Sequence, residues 1–317
     1  FIPSINAYID PKYPVDKAII THAHADHAKP NHKNVLATED TINIMKIRYG
    51  ENCAKNFQII KYGERIYLDG IYITFFPAGH ILGSAQILLE KKDYKILVTG
   101  DYKTTLDKTS QKFELVKTNT LVTEATFGLP IFCHPRPIEE TKKIINSLKS
   151  KPHSNHLIGA YSLGKAQRII SLLRELGYSK QIYIHGSMTK INNYYLSKKI
   201  NLGKYIQVDK NNINSLKGEI ILAPPSALKD IWSRKISNKI IGMASGWMNV
   251  KQRAKQKLIE LPIIISDHAD WNELTKTILD TEAEKVLITH GQEECLQYWC
   301  KKNGIEAEAL NTQNLRN

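Results

Sequence analysis

The sequence predicts an α/β protein made of two α/β domains, one inserted into the other, and three observations predict it. Short strand-like runs within the first 127 residues end on His or Asp. Residues 155–245 then alternate between strand and helix patterns, and His- and Asp-ended runs resume at Ile263-Ile264-Ile265-Ser266-Asp267-His268 and continue to His290. We therefore expect one discontinuous domain over residues 1–127 and 262–317 and an inserted domain over residues 128–261.

Taken in order, the first domain opens with Ala7-Tyr8-Ile9, ended by Asp10, which also reads as a turn residue before Pro11. The apolar run Ala18-Ile19-Ile20 leads into Thr21-His22-Ala23-His24-Ala25-Asp26-His27, which holds four potential metal ligands. Side chains alternate faces in an extended segment, so His22 and His24 can share one cation, while Asp26 and His27, at the following turn, can reach a second. Thr38-Glu39-Asp40 starts a helix with Ile42, Met45 and Tyr49 on one face. The alternating run Ile71 to Phe76 closes on His80, within Pro77-Ala78-Gly79-His80-Ile81-Leu82-Gly83-Ser84. Ile96-Leu97-Val98-Thr99-Gly100 precedes Asp101, Leu121-Val122-Thr123 precedes Glu124, and Val286-Leu287-Ile288-Thr289 precedes His290. Ligands delivered from the ends of several strands are held more rigidly than ligands on free loops.

In the second domain, strands are expected at Leu157-Ile158-Gly159-Ala160, Ile182-Tyr183-Ile184, Ile220-Ile221-Leu222 and Ile240-Ile241-Gly242, with helices from Ala166 to Leu176 and from Ile191 to Lys199. Tyr161-Ser162-Leu163-Gly164-Lys165-Ala166-Gln167-Arg168 is a strand-to-helix junction with a hydroxyl, a Gly and a Lys at the helix start, where backbone N–H groups attract phosphate. The run Lys251 to Lys257 carries four positive charges and is either a solvated face or a backbone-tracking patch.

Composition sets the surroundings. The 44 Lys and Arg against 31 Asp and Glu give a net charge of +13, which points to a polyanionic partner, although a Lys-, Ile- and Asn-rich coding style would also raise it. Cys53, Cys133, Cys295 and Cys300 form no Cys-x-x-Cys pair, so a reduced, cytoplasmic setting is expected. No apolar run approaches the roughly 20 residues of a membrane span. The chain opens at Phe1 instead of Met, so a short preceding piece is expected to be missing.

The His-x-His-x-Asp-His pattern, followed in order by His80, Asp101 and His290, resembles the metallo-β-lactamase superfamily signature. The resemblance implies an αββα sandwich holding two divalent ions. His22, His24 and His80 would hold one ion, Asp26, His27 and His290 the other, and Asp101 would bridge them. Asp10 matches an acidic position that orients the His cluster. Imidazole and carboxylate without thiolate suit Zn²⁺, with Mn²⁺ a competitor. Two ions about 3.5–4 Å apart clamp the attacking and leaving oxygens of a displacement, so hydrolysis is the expected reaction.

An insert after Glu124, with His268 and His290 on the return, resembles the β-CASP branch, whose members are nucleases. Glu124 matches its acidic first motif, His268 its second and His290 its third. His268, poised by Glu124, is then the expected general acid, and Asp26 and Asp101 complete the catalytic set. The Tyr161–Arg168 phrase, Gly246-Trp247, the run Glu124 to Pro130 and Ser266-Asp267-His268-Ala269-Asp270-Trp271 are most similar to bacterial DNA-ligase-associated exonucleases and Artemis-type repair nucleases. The expectation is a metal-dependent DNA exonuclease acting 5′ to 3′ in repair on single- or double-stranded ends, with a DNA ligase or helicase as partner. Thr126, Ser162 and Lys165 are expected to grip a terminal phosphate. A His at the third motif is what RNA-cutting members carry, so an RNA nuclease of the ribonuclease J or pre-mRNA cleavage type is the alternative.

Overall fold

Alternating apolar residues in the first half of the chain sort its strands' side chains between separate cores. In the computed structural model, which describes residues 1–310, β1 (Tyr8–Ile9), β2 (Lys17–Ile19), β3 (His32–Ala37) and β4 (Ala54–Ile59) form a parallel sheet in that order. Helix α1 (Glu39–Tyr49) connects β3 to β4; Thr38 Oγ1 caps it by accepting from Thr41 N at 3.2 Å, and Glu39 and Asp40 favour its positive end. Ile42 and Met45 of α1 pack with Ala18, Val35 and Ala37 on one face of the sheet, joined by Tyr49. The opposite face supplies Ile19 and Leu36 to a core shared with a second sheet.

That second sheet begins with antiparallel strands β5 (Arg65–Leu68), β6 (Ile71–Pro77), β7 (Ala85–Lys91) and β8 (Tyr94–Val98), and β9 (Thr120–Ala125) then pairs parallel to β8. Ile71, Ile73 and Phe75, with Ile87 and Leu89, face the first sheet. Leu88, Leu97 and Leu121 face the other way. Full burial stabilises each such side chain by roughly 1.5–3 kcal/mol, so a slip of one residue in register, which would exchange the faces, is strongly disfavoured.

The chain divides at Cys133 into a second unit, His134–Ser266. It contains α2 (Pro137–Ser150), β10 (Asn155–Gly159), α3 (Lys165–Glu175), β11 (Ile182–Ile184), α4 (Thr189–Ser197), β12 (Tyr205–Gln207), β13 (Ile220–Ala223), α5 (Ile231–Arg234), β14 (Lys239–Ala244), α6 (Lys251–Gln256) and β15 (Leu261–Ile263). Its six strands form one all-parallel sheet in the order β12-β11-β13-β10-β14-β15. The sequence places a domain boundary at residue 262, but β15 pairs Pro262 with Met243 of β14, so residues 262–266 stay with the second unit. The Ile263 run completes a parallel sheet instead of starting the return.

From Asp267 the chain rejoins the first unit through α7 (Trp271–Asp280), β16 (Lys285–Gly291), α8 (Glu293–Lys302) and β17 (Glu306–Ala309). β16 adds parallel to β9, giving the order β17-β16-β9-β8-β7-β6-β5. Leu274 and Ile278 of α7 and Leu296 and Cys300 of α8 cover the outer face of this sheet. The first unit is thus layered as helix, sheet, sheet, helix. Among the described residues, no helix is long and apolar enough to cross a membrane.

Candidate metal centre

The chain turns sharply after β2, where His27 N and Ala28 N both donate to the His24 carbonyl at 3.2 and 2.8 Å, and this gathers the three imidazoles of the turn. The His22 ring lies 4.9 Å from that of His24 and 4.1 Å from that of His27. Asp10 anchors the turn from β1: it accepts from Thr21 N at 2.8 Å and Thr21 Oγ1 at 2.6 Å, and its Oδ2 lies 2.7 Å from His27 Nδ1. Because the Thr21 hydroxyl proton goes to Asp10, its oxygen is left to accept from His22 Nδ1–H at 3.0 Å. His22 Nε2 therefore turns a lone pair inward. It is buried and has no hydrogen-bond partner.

His80 reaches the same point from the end of β6. Its Nδ1 donates to the Asp267 carbonyl at 2.8 Å, which fixes the tautomer and leaves Nε2 as a lone pair 2.9 Å from His24 Nδ1. Gly79 adopts φ +73°, and a Cβ there would collide with the Lys103 carbonyl, so only glycine lets the His80 loop approach the Asp101 loop. Asp101 follows β8. Its Oδ2 lies 3.4 Å from His22 Nε2, 3.3 Å from His27 Nε2 and 3.8 Å from His80 Nε2. Lone pairs converging on a carboxylate oxygen repel unless a positive charge lies among them, and the donor atoms of His22, His24, His80 and Asp101 all stand within 4.8 Å of one another. The residues fit a divalent ion.

The electrostatics agree. Burial lowers His22 and His80 well below the ordinary histidine range, aided by neighbouring imidazoles, so both stay neutral and able to ligate. Burial also opposes charge on His27, but Asp101 and the hydrogen bond to Asp10 outweigh it and raise His27 well above that range. Burial likewise opposes ionised Asp101, yet His27 and His268 hold it well below the usual carboxylate range. The pocket draws positive charge to itself.

The residues expected around a second ion are less gathered. His27 is buried beside Asp101, but Asp26 is exposed, with Oδ2 3.8 Å from His27 Nε2. His290 ends β16 at φ +56° beside an irregularity in the β9 pairing, exposed, with its ring 5.4 Å from that of His27. Among the described residues, neither belongs to a group of three ligand atoms within 4.8 Å. His268 and Glu124 do meet: His268 Nδ1 lies 2.9 Å from Glu124 Oε2, 3.4 Å from Thr126 Oγ1 and 3.8 Å from Asp101 Oδ2. Glu124 Oε1 accepts from Tyr102 N at 2.9 Å.

The residues expected to grip a phosphate lie at the start of α3 and at the end of β9. Lys165 is buried, and its ammonium donates to the Ile265 carbonyl at 3.2 Å within the second unit. Arg168, one turn on, donates to the Ser266 carbonyl at 2.6 Å. The helix start also satisfies itself, since Gly164 N donates to Gln167 Oε1 at 2.7 Å and Gln167 Nε2 to the Ser162 carbonyl at 2.9 Å. Both side chains donate to the segment after β15, as a buried ammonium or guanidinium must find an acceptor. Ser162 is half-buried, its hydroxyl 3.5 Å from that of Ser187, and Thr126 stands beside His268 in the first unit.

Sequence reasoning missed several supporting residues. Thr21 sets the His22 tautomer, Arg48 of α1 donates to the Ala23 carbonyl, and Lys103 pairs with Glu273. One signal was available: Asp270-Trp271-Asn272-Glu273 has capping-box spacing, and both reciprocal bonds form at 3.0 Å. It announces the start of α7 just after His268.

No family model matches the chain. Over 323 aligned residues, 99% of the chain, it is 25% identical to a protein of Opitutus terrae named as a probable DNA ligase, 30% of whose length is covered. It is 28% identical to an RNase J-like protein of Methanocaldococcus jannaschii over 58% of the chain and 50% of that protein. It is 32% identical to cleavage and polyadenylation specificity factor subunit 3 of Dictyostelium discoideum over 37% of the chain and 15% of that protein. The chain thus spans half or less of the length of these relatives. These similarities agree with the resemblance to β-CASP metallo-β-lactamase nucleases that the motifs carry.

Proposed function

We propose that the protein is a metal-dependent DNA exonuclease that hydrolyses phosphodiester bonds from a 5′ end in cytoplasmic DNA repair. The observation that carries this is the buried, unpartnered Nε2 of His22 among the donor atoms of His24, His80 and Asp101. These four residues would hold one ion, and His27, Asp26 and His290, sharing Asp101, a second, with Zn²⁺ favoured over Mn²⁺ by the imidazole-rich donor set. Bound there, divalent ions supply water acidified toward neutral pH and an electrostatic clamp on the phosphoryl oxygens.

The chain's own groups do the remaining work. Asp10 and the Asp267 carbonyl orient His27 and His80 through their Nδ1 atoms. Glu124 accepts from His268 Nδ1–H at 2.9 Å, so the imidazolium keeps its transferable proton on Nε2, and that atom delivers it to the departing oxygen. Afterwards the neutral ring retains the Glu124 bond. Thr126 Oγ1 restrains the same ring.

DNA is favoured by the Opitutus relative, which matches nearly the whole chain, and a DNA ligase is the partner we propose because that named protein contains the homologous stretch. The +13 charge suits either nucleic acid. An RNA nuclease is the second reading, supported by the RNase J-like and cleavage-factor relatives. Digestion of end-labelled single- and double-stranded DNA and matched RNA, with each metal in turn, separates the two. Release of 5′-label from DNA faster than from RNA supports the exonuclease; preferential RNA cleavage transfers the function to the second reading.

A further inference from the structure

One carboxylate outside the cluster ties together the two segments that bring Asp101 and His268 to it. Glu273 lies in the first turn of α7. Its Oε1 accepts from Thr104 Oγ1 at 2.8 Å, Thr105 Oγ1 at 2.7 Å and Thr105 N at 2.8 Å, all on the loop leaving Asp101. Its Oε2 pairs with Lys103 Nζ and accepts from Asp270 N at 3.0 Å, on the segment leaving His268. The Lys103 and Glu273 side chains are only 4% and 12% exposed.

Burial by itself would raise the Glu273 carboxyl, but the adjacent Lys103 ammonium and the hydrogen bonds from Lys103, Asp270 N and Thr105 hold it down to about 2. It is therefore an anion at any working pH. Capping α7 requires only the Asp270–Glu273 exchange. The donors from residues 103–105 go beyond that, and a buried ion pair is a poor source of stability but a good device for fixing one geometry. The geometry at issue is the 3.8 Å spacing between Asp101 Oδ2 and His268 Nδ1.

We propose that Glu273, with Lys103, is a positioning residue that locks the Asp101 loop to the His268 segment, so that carboxylate and imidazole keep their spacing at the metal centre. This rests on the metal-nuclease reading above and deepens it. The two segments share no strand; Ala269 N donates to the Tyr102 carbonyl at 2.6 Å and Glu124 bonds both Tyr102 N and His268 Nδ1, and the clamp adds a further, charged tie between them.

The test compares the wild-type protein with Glu273→Gln, Lys103→Met and the double variant. Three quantities are read: kcat and KM on a 5′-labelled oligonucleotide, metal retained against a chelator, and the melting curve. Gln keeps a cap acceptor and loses the charge. Each single variant is expected to stay folded at assay temperature, with KM unchanged, while kcat and metal retention fall by about tenfold to a hundredfold, the usual effect of losing a group that orients ligands. The double variant should be no worse than the poorer single one, because both remove the same clamp. Wild-type kcat and metal retention in Glu273→Gln, a rise in KM in place of a fall in kcat, or losses that multiply in the double variant would each overturn the proposal. If Glu273→Gln does not fold, Thr104→Val with Thr105→Val leaves the ion pair and the cap intact. Their joint substitution should lower kcat by a smaller factor, and no change would overturn the clamp. A wild-type protein that binds metal but cleaves no nucleic acid overturns the nuclease reading, while metal retention still decides the clamp.

Discussion

Asp101 is the residue on which the centre turns, with Oδ2 within 3.8 Å of a nitrogen from each of His22, His27, His80 and His268. Asp101→Asn and His24→Ala should therefore lose metal and hydrolysis together while leaving the cores of the first unit folded. Elemental analysis alongside an activity assay checks this, and full activity in a metal-depleted variant would contradict it. His268→Ala should behave differently, slowing cleavage by ~10²–10⁴ with metal content unchanged, because its proton is used while His22, His24, His80 and Asp101 remain to hold an ion. Loss of metal in that variant would make His268 a ligand. The imidazoles and Asp101 were legible in the sequence because their types and spacing state their chemistry. The fate of Lys165 was not, since only the fold decides whether a lysine at a helix start meets solvent or, as here, the Ile265 carbonyl.

At the scale of elements, α7 joins a helix cap to a buried ion pair, and this gives it a pH signature. The folded Glu273 carboxyl, at about 2, lies below its unfolded value of 4.5. Its contribution is thus fully present above pH 4.5 and is lost as pH falls through about 2. Glu273→Gln should reduce stability at neutral pH and flatten its decline across that acid window. Chemical denaturation at stepped pH measures it, and parallel declines in both proteins would remove Glu273 from the account. The short helix α6 poses an electrostatic question: Lys251, Arg253, Lys255 and Lys257 are exposed around it, and Arg253 lies over the Trp247 ring at 4.0 Å. If the face follows a phosphate backbone, Lys255→Glu with Lys257→Glu should weaken DNA binding for all sequences alike and flatten its salt dependence. An unchanged salt slope assigns the run to solvent. The elements that could be read in advance include α1 with its Thr38 cap and the β10, β11, β13 and β14 runs, because capping and periodicity are local properties, whereas β3, β4, β7 and β12 were not read. β15 could not be placed, because which sheet a three-residue strand joins is decided by pairing with β14, not by its own residues.

The first unit is layered and carries an imidazole–carboxylate centre, and a parallel α/β unit is spliced into its chain. The layering follows from alternation in β6, β7 and β8, each of which divides its apolar residues between two cores. The second ion's site was harder to read, since Asp26 and His290 are exposed and no spacing rule states how closely two chain ends approach. On the function proposed above, this centre hydrolyses nucleic acid through bound metal. The most direct measurement removes metal with a chelator, then titrates Zn²⁺ or Mn²⁺ back while recording metal per chain and release of 5′-label from DNA. The expected result is no release from the stripped protein and recovery that saturates at two ions per chain. Undiminished release from fully stripped protein, or no release at any occupancy with either metal, would contradict it.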